Sequence, residues 1–191
     1  MVKAGLTGGI ASGKSAAAEI FEKAGAVIVD ADVLSRQCLL LPAVRSALKD
    51  AFPSVFCGDE LDRAALRQLV FGDASKLKVL NDITHPSIRA AAEEALSASR
   101  APVTILVAPL LFEAGLDDLV HPIVTVACPE TLRIARLMKR DTISEALAKR
   151  MIDAQLSDEA RAKRADVVLE NDGDLAALEQ KVLRLYEEWT A

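Results

Sequence analysis

Long apolar runs are missing from this chain of 191 residues. None approaches the roughly 20 residues that span a bilayer, so a protein without membrane-spanning helices is expected. Cysteine is scarce as well. Cys38, Cys57 and Cys128 are odd in number, widely spaced and free of any C-x-x-C pair. That speaks against a disulfide framework or zinc knuckle and for small apolar residues in a reduced compartment. Met1 to Leu6 runs straight into glycines, with no basic segment, long apolar core or small-residue cleavage site; a cytoplasmic protein is expected. Positive charge is not in surplus, since 23 Lys and Arg stand against 28 Asp and Glu for a net −5. A surface built throughout for nucleic acid is thereby disfavoured, but a local anion pocket is not.

The chain does have enough apolar residues to fold. A hydrophobic fraction of 51% with 27% charged residues excludes a disordered or collagen-like chain. The length favours one domain, with or without small insertions, and lets roughly 70% of the unfolded surface be buried without staples. No internal repeat or low-complexity tract is present.

Strand and helix signals alternate. Val2 to Leu6 reads as a first strand and Thr7 to Gly13 as a glycine-rich loop. A helix follows from Lys14 to about Ala24, with Ala17, Ile20, Phe21 and Ala24 on one face and Gly25 as its stop. Ala26 to Val29, Val103 to Val107, Ile123 to Ala127 and Asp166 to Leu169 read as further buried strands. Helices are expected over Pro129 to Asp141, Ser144 to Gln155, Asp158 to Lys163 and Asp174 to Trp189. Between Asp32 and Ser99 only helical patterns occur, punctuated by Pro42, Pro53, Gly58, Gly72 and Pro86. The fold class is α/β with a parallel five-stranded sheet and a helical insertion between the second and third strands.

Gly8-Gly9-Ile10-Ala11-Ser12-Gly13-Lys14-Ser15 fits the phosphate-loop pattern G-x-x-x-x-G-K-S/T. Glycines let successive N–H groups turn inward around phosphate oxygens, and the following helix offers free N–H groups and the positive end of its dipole. In that frame Lys14 reaches the β- and γ-phosphates and the Ser15 hydroxyl ligates Mg²⁺. The strand before and the amphipathic helix after supply the context the pattern requires. A nucleoside triphosphate with Mg²⁺ is therefore expected.

Asp30 and Asp32 follow the second strand, at the edge where open parallel sheets bind ligands. One carboxylate could take the proton of an attacking hydroxyl while the other orders Mg²⁺ and its waters. The plainer alternative makes Asp32 a helix N-cap. Between Arg133 and Arg164 nine basic residues stand against five acidic ones, so this segment carries +4 and the remainder −9. Arg133, Arg136 and Arg140 fall within an arc of about 60° on a helix. They could present guanidinium groups to a polyphosphate, or form a solvated face.

Several motifs in order resemble the dephospho-coenzyme A kinase family. They are Leu6 to Ser15, Val29-Asp30-Ala31-Asp32, Leu61-Asp62-Arg63-Ala64-Ala65-Leu66, Val70-Phe71, His85-Pro86-Ser87-Ile88-Arg89 and Pro109-Leu110-Leu111-Phe112-Glu113. Arg136 to Asp141, Ala154-Gln155, Ala165 to Val168 and Asn171-Asp172-Gly173 complete the set. The resemblance implies transfer of the ATP γ-phosphate to the ribose 3′-hydroxyl of dephospho-coenzyme A. It also implies a three-layer P-loop kinase fold with a core (1–31, 100–130 and 165–191), a helical substrate-binding insertion (32–99) and a helical lid (131–164). Asp32 would be the base. Gly9, Ile10, Ala11, Ser12, Gly13, Lys14, Ser15 and Ala16 would cradle ATP, with Ser15 on Mg²⁺. Arg140 would be the lid arginine near ATP and Asn171 would lie near the adenine. His85, Pro109, Leu110 and Glu113 would lie near the acceptor. The partner would be a small molecule, without nucleic acid or membrane, and a monomer is favoured.

Three positions depart from that pattern. Ala16 stands where the family commonly has Thr, Val107 where many members have Asp, and Glu170 where Asp is frequent. Another small-molecule P-loop kinase is an alternative. So is a nucleotide-dependent switch, although the N/T-K-x-D segment that reads guanine in GTPases is absent. His85, before Pro86, reads equally as a residue that begins a helix.

Overall fold

The computed structural model describes residues 1–191. In chain order the elements begin with β1 (Val2–Gly8), α1 (Lys14–Ala24), β2 (Val27–Asp30), α2 (Ala31–Cys38) and α3 (Pro42–Ala51). They continue with β3 (Phe56–Cys57), β4 (Glu60–Leu61), α4 (Arg63–Val70), α5 (Ala74–Ala98), β5 (Val103–Val107) and β6 (Ile123–Ala127). The last are α6 (Glu130–Asp141), α7 (Glu145–Asp153), α8 (Asp158–Arg164), β7 (Val167–Glu170) and α9 (Leu175–Thr190). The chain divides into one unit of Met1–Asp30 with Ala95–Ala191 and a second of Ala31–Glu94. No helix is long and apolar enough to cross a membrane.

The first unit holds a five-stranded sheet of order β2-β5-β1-β6-β7, parallel throughout. β5 is buried at every position, which is why it carries no polar alternation: both faces of a parallel sheet are covered. Ala17, Ile20 and Phe21 of α1 join Leu178, Val182 and Leu185 of α9 in one core against β1, β5 and β6. The Phe21 and Trp189 rings stack there with centroids 5.6 Å apart. Asp30 and Leu6 are both in register with Val107. The carboxyl ends of β2, β5 and β1 therefore share one sheet edge, where the loop after β1 begins.

The second unit has its own core of Val44, Leu48, Phe52, Val55, Leu66 and Val70, with Leu80 and Ile83 of α5 against it. Pro42 opens α3 at a position where its missing N–H costs nothing. The Asp62 carboxylate caps α4 by accepting from the Ala64 and Ala65 N–H groups, each at 2.9 Å.

The structure departs from the sequence-based expectations in four places. Thr7 and Gly8 extend β1, paired with Thr125 and Val126 of β6. The segment expected to lack strands contains the antiparallel hairpin β3–β4, with Phe56 opposite Leu61 and Cys57 opposite Glu60. Gly58, at φ +62°, occupies the first of two turn positions, where a type II′ hairpin calls for glycine. Pro86 does not break the chain: α5 runs through it for 25 residues, which costs that helix one backbone hydrogen bond. Finally, Cys57 is exposed, whereas Cys38 and Cys128 are buried as expected.

Candidate active site

The loop from Gly8 to Ser15 leaves β1 and enters α1 through two left-handed residues, Ala11 at φ +61° and Gly13 at φ +101°. Ser12 N–H closes a turn on the Gly9 carbonyl at 3.1 Å. The first intrahelical acceptor is the Gly13 carbonyl, taken by Ala17 N–H at 3.0 Å. The N–H groups of Ser15 and Ala16 thus have no helical carbonyl to reach. The Ser12 hydroxyl is buried and has no partner. Unsatisfied donors gathered at the positive end of a helix fit an anion, and specifically phosphate oxygens. Lys14 is half-buried at the head of α1 and Ser15 is exposed beside it.

Four side chains hold this loop from outside. Arg133 Nε donates to the Ile10 carbonyl at 2.9 Å, and Arg136 Nη1 donates to the Ala11 carbonyl at 3.2 Å. Asn171 Nδ2 donates to the Ser12 carbonyl at 2.7 Å, while the Gln155 side-chain oxygen accepts from Ile10 N–H at 2.7 Å. The glycines make this possible. A Cβ on Gly9 would lie 2.5 Å from Arg133 Nη2, and one on Gly13 would lie 2.1 Å from Asn171 Nδ2. With the Ile10, Ala11 and Ser12 carbonyls tied outward, the N–H groups of Ser15 and Ala16 at the head of α1 stay available to a ligand.

The arginine face of α6 is therefore divided, and the single polyphosphate-facing row considered from the spacing is not what the structure contains. Arg133 is 3% exposed and committed to Ile10 and to Asp158, whose carboxylate accepts from Nη1 at 2.7 Å. Arg136 is turned to loop carbonyls and to Cys128 Sγ, 3.3 Å away; burial pushes that thiol up. Only Arg140 is exposed, in a side-on pair with Asp141 at 2.7 and 2.8 Å. That hydrogen bonding raises the guanidinium further and lowers the Asp141 carboxyl.

Asp158 also accepts from Arg161 Nη1 at 3.1 Å. Arg161 is fully buried; desolvation pushes its guanidinium below the usual range, against the pull of Glu113 and Asp158. Its Nη2 stands 3.7 Å from Glu113 Oε1, too far for a hydrogen bond. Glu113, expected near the acceptor, also accepts from Leu156 N–H at 3.3 Å. Pro109 is tied to β1 through its carbonyl, which accepts from Thr7 Oγ1 at 3.3 Å, and Leu110 is exposed. Asp158, Arg161 and Gln155 were the functional residues the sequence reading gave no role. The i, i+3 pair Asp158–Arg161 looks in sequence like any solvated pair, and only burial distinguishes it.

Asp30 closes β2 at the loop-bearing sheet edge. Asp32 is exposed and is the second residue of α2, so the helix begins before it and Asp32 is not an N-cap. His85 is half-buried in the middle of α5 and begins no helix.

The family description "dephospho-CoA kinase" matches residues 2–177. A dephospho-CoA kinase of Xanthomonas euvesicatoria is 44% identical over 187 residues, covering 95% of this chain and 92% of its own. The crystal structure of TT1252 from Thermus thermophilus is 37% identical with a TM-score of 0.87, over 100% of this chain and 98% of that one. The dephospho-CoA kinase from Campylobacter jejuni is 25% identical with a TM-score of 0.64, over 98% and 96%.

Proposed function

The chain belongs to the dephospho-CoA kinase family, and from that premise we propose how it moves the γ-phosphoryl group of ATP to the ribose 3′-hydroxyl of dephospho-CoA, giving CoA and ADP. The observation that carries this reading is the intact phosphate loop, Gly8 to Ser15, with the carbonyls of Ile10, Ala11 and Ser12 tied outward and the buried Ser12 hydroxyl without a partner.

The loop N–H groups cradle the phosphates and Lys14 neutralises charge on the transferring group. Ser15 is the side chain that would hold Mg²⁺, and the ion would spread the charge that develops on the phosphoryl oxygens. Asp32 accepts the proton of the 3′-hydroxyl as that oxygen attacks. Arg140 stabilises the charge of the transferring phosphoryl group, exchanging its exposed partner Asp141 for phosphate. Asn171 serves the nucleotide through the loop it holds, since its buried Nδ2 is already spent on Ser12. Ala16 supplies no hydroxyl towards the phosphates, and the backbone cradle carries that end alone.

The lid proposed for residues 131–164 is tied to the phosphate loop near both of its ends. Arg133 and Arg136 fasten its start to the loop, and Gln155, Asp158 and Arg161 fasten its end. The segment between Arg136 and Gln155 carries Arg140, and its buried Leu137, Ala148 and Ile152 form a core with Ile134 against which Ile10 and Ala11 of the loop pack. Closure there excludes water, which would otherwise take the phosphoryl group. His85, Pro109, Leu110 and Glu113 remain proposed contributors to the acceptor side, Glu113 through Leu156 and Arg161. The enzyme acts in the cytoplasm as a monomer on a small-molecule acceptor.

ADP release with ATP and Mg²⁺ alone tests this reading against a hydrolysing switch. The expected result is slow release that rises strongly with dephospho-CoA, with the new phosphate on the 3′ oxygen. Equal release without acceptor contradicts it.

A further inference from the structure

β5 lies between β1 and β2 in the sheet, so the segment after it, residues 108–116, begins between the phosphate loop and the end of β2. Ligands of open parallel sheets bind at this edge. Residues 155–164 hold that segment and the phosphate loop at once. Gln155 accepts from Ile10 N–H at 2.7 Å, and the next residue, Leu156, donates its N–H to Glu113 Oε1 at 3.3 Å. Asp158 pairs with Arg133, which in turn holds the Ile10 carbonyl. Arg161 donates to Asp158 through Nη1 and turns Nη2 towards Glu113. Arg164 lies over the Phe112 ring, 4.2 Å from its centroid, and donates to Asp117 at 2.8 Å.

In this bracket the Arg161 guanidinium stands between two carboxylates, Asp158 on the loop side and Glu113 on the segment side. It is fully buried, and its Nε and Nη2 make no hydrogen bond. That is a costly way to fill space, because an apolar side chain of similar volume would serve the fold as well or better. A planar guanidinium fixes direction as well as distance between two anions, which an apolar group does not. We propose that Arg161 is a positioning residue for phosphoryl transfer, setting the phosphate loop and residues 109–113 at the spacing the acceptor requires. The inference rests on the kinase reading and adds to it what aligns the two substrates. A misplacement of about 1 Å can cost about a hundredfold in rate, and it leaves the phosphoryl group open to water.

The test uses the full chain, its Arg161→Met and Glu113→Gln variants, and the two changes combined. CoA and ADP are counted in the same reaction, and KM is measured for ATP and for dephospho-CoA. The unaltered enzyme should make CoA and ADP in equal amounts. Arg161→Met should lower kcat/KM for dephospho-CoA about ten- to a hundredfold and release more ADP than CoA. Its KM for ATP should stay within a few-fold, because Arg133 keeps both Asp158 and Ile10. Glu113→Gln, which can still accept from Leu156 N–H, should show the same excess of ADP to a smaller degree. The combined variant should be no worse than Arg161→Met alone, since both changes act through one contact. Loss of folded protein lowers CoA and ADP together, so their ratio separates positioning from stability. If Arg161→Met does not fold, the ratio in Glu113→Gln decides. Equal CoA and ADP in every variant that folds, or additive losses in the combined one, overturns this assignment and leaves the kinase reading standing. Failure of the unaltered enzyme to make CoA overturns the kinase reading itself.

Discussion

Asn171 Nδ2 and the Ser12 carbonyl, 159 residues apart in sequence, meet at 2.7 Å in a buried hydrogen bond. The bond fixes the carbonyl side of the phosphate loop from the end of β7, and it requires glycine at position 13 because any Cβ there would overlap the amide.

Asn171→Ala removes the shorter of two bonds to the Ser12 carbonyl, leaving that from Arg136 Nη1 at 3.4 Å. The expected cost is about 0.5–1.5 kcal/mol in denaturant unfolding, accompanied by a higher KM for ATP. An unchanged ATP KM at reduced stability would show that the bond supports the fold without shaping the loop.

Asp158 joins two buried arginines, and Asp158→Asn leaves both with one carboxylate fewer. Unfolding should show a loss of about 3 kcal/mol, the lower end for breaking a buried pair, because Asp158 itself is 32% exposed. ATP binding should weaken as well, since Arg133 holds Ile10. Asp141→Asn, which breaks only the exposed pair with Arg140, should leave the melting temperature unchanged.

Arg140→Met should lower kcat about 10³-fold, within the range for arginines that act on a transferring phosphoryl group, with stability unaltered. A loss confined to KM for ATP would make Arg140 a binding residue only.

Asp73 holds the start of α5. Its carboxylate accepts from the Ser75 hydroxyl at 2.6 Å and from the Ser75 and Lys76 N–H groups at 3.1 Å each. These bonds, that of the Ser75 hydroxyl foremost, hold the carboxyl far below its ordinary value. A lowered carboxylate stabilises the folded state fully above its unfolded pKa of about 3.9 and loses that contribution as the pH falls through the folded value. Asp73→Asn should therefore melt below the unaltered protein at pH 7, and the gap should narrow as the pH drops below about 4. A gap independent of pH would contradict the assignment.

Much of the fold was legible in the sequence because buried parallel strands leave continuous β-branched runs, as Val103 to Val107 does. The phosphate loop was legible because its spacing encodes backbone geometry. The hairpin at Phe56–Leu61 was not, since strands of two residues are too short for alternation to register. The commitments of Arg133 and Arg136 were hidden for a different reason. Helical spacing gives the direction of a side chain but not its partner, and loop carbonyls 125 residues away leave no mark on local composition. Pro86 misled because a break in propensity is overridden when the helix on both sides is packed.

The central claim is that Asp32 takes the proton while the loop holds ATP, and Asp32→Asn tests it most directly. With kcat for CoA formation and ATP affinity measured on the same preparation, kcat should fall about 10²–10⁴-fold while ATP affinity stays near that of the unaltered enzyme. A variant that keeps its kcat, or one whose ATP affinity falls as far as its kcat, contradicts the account.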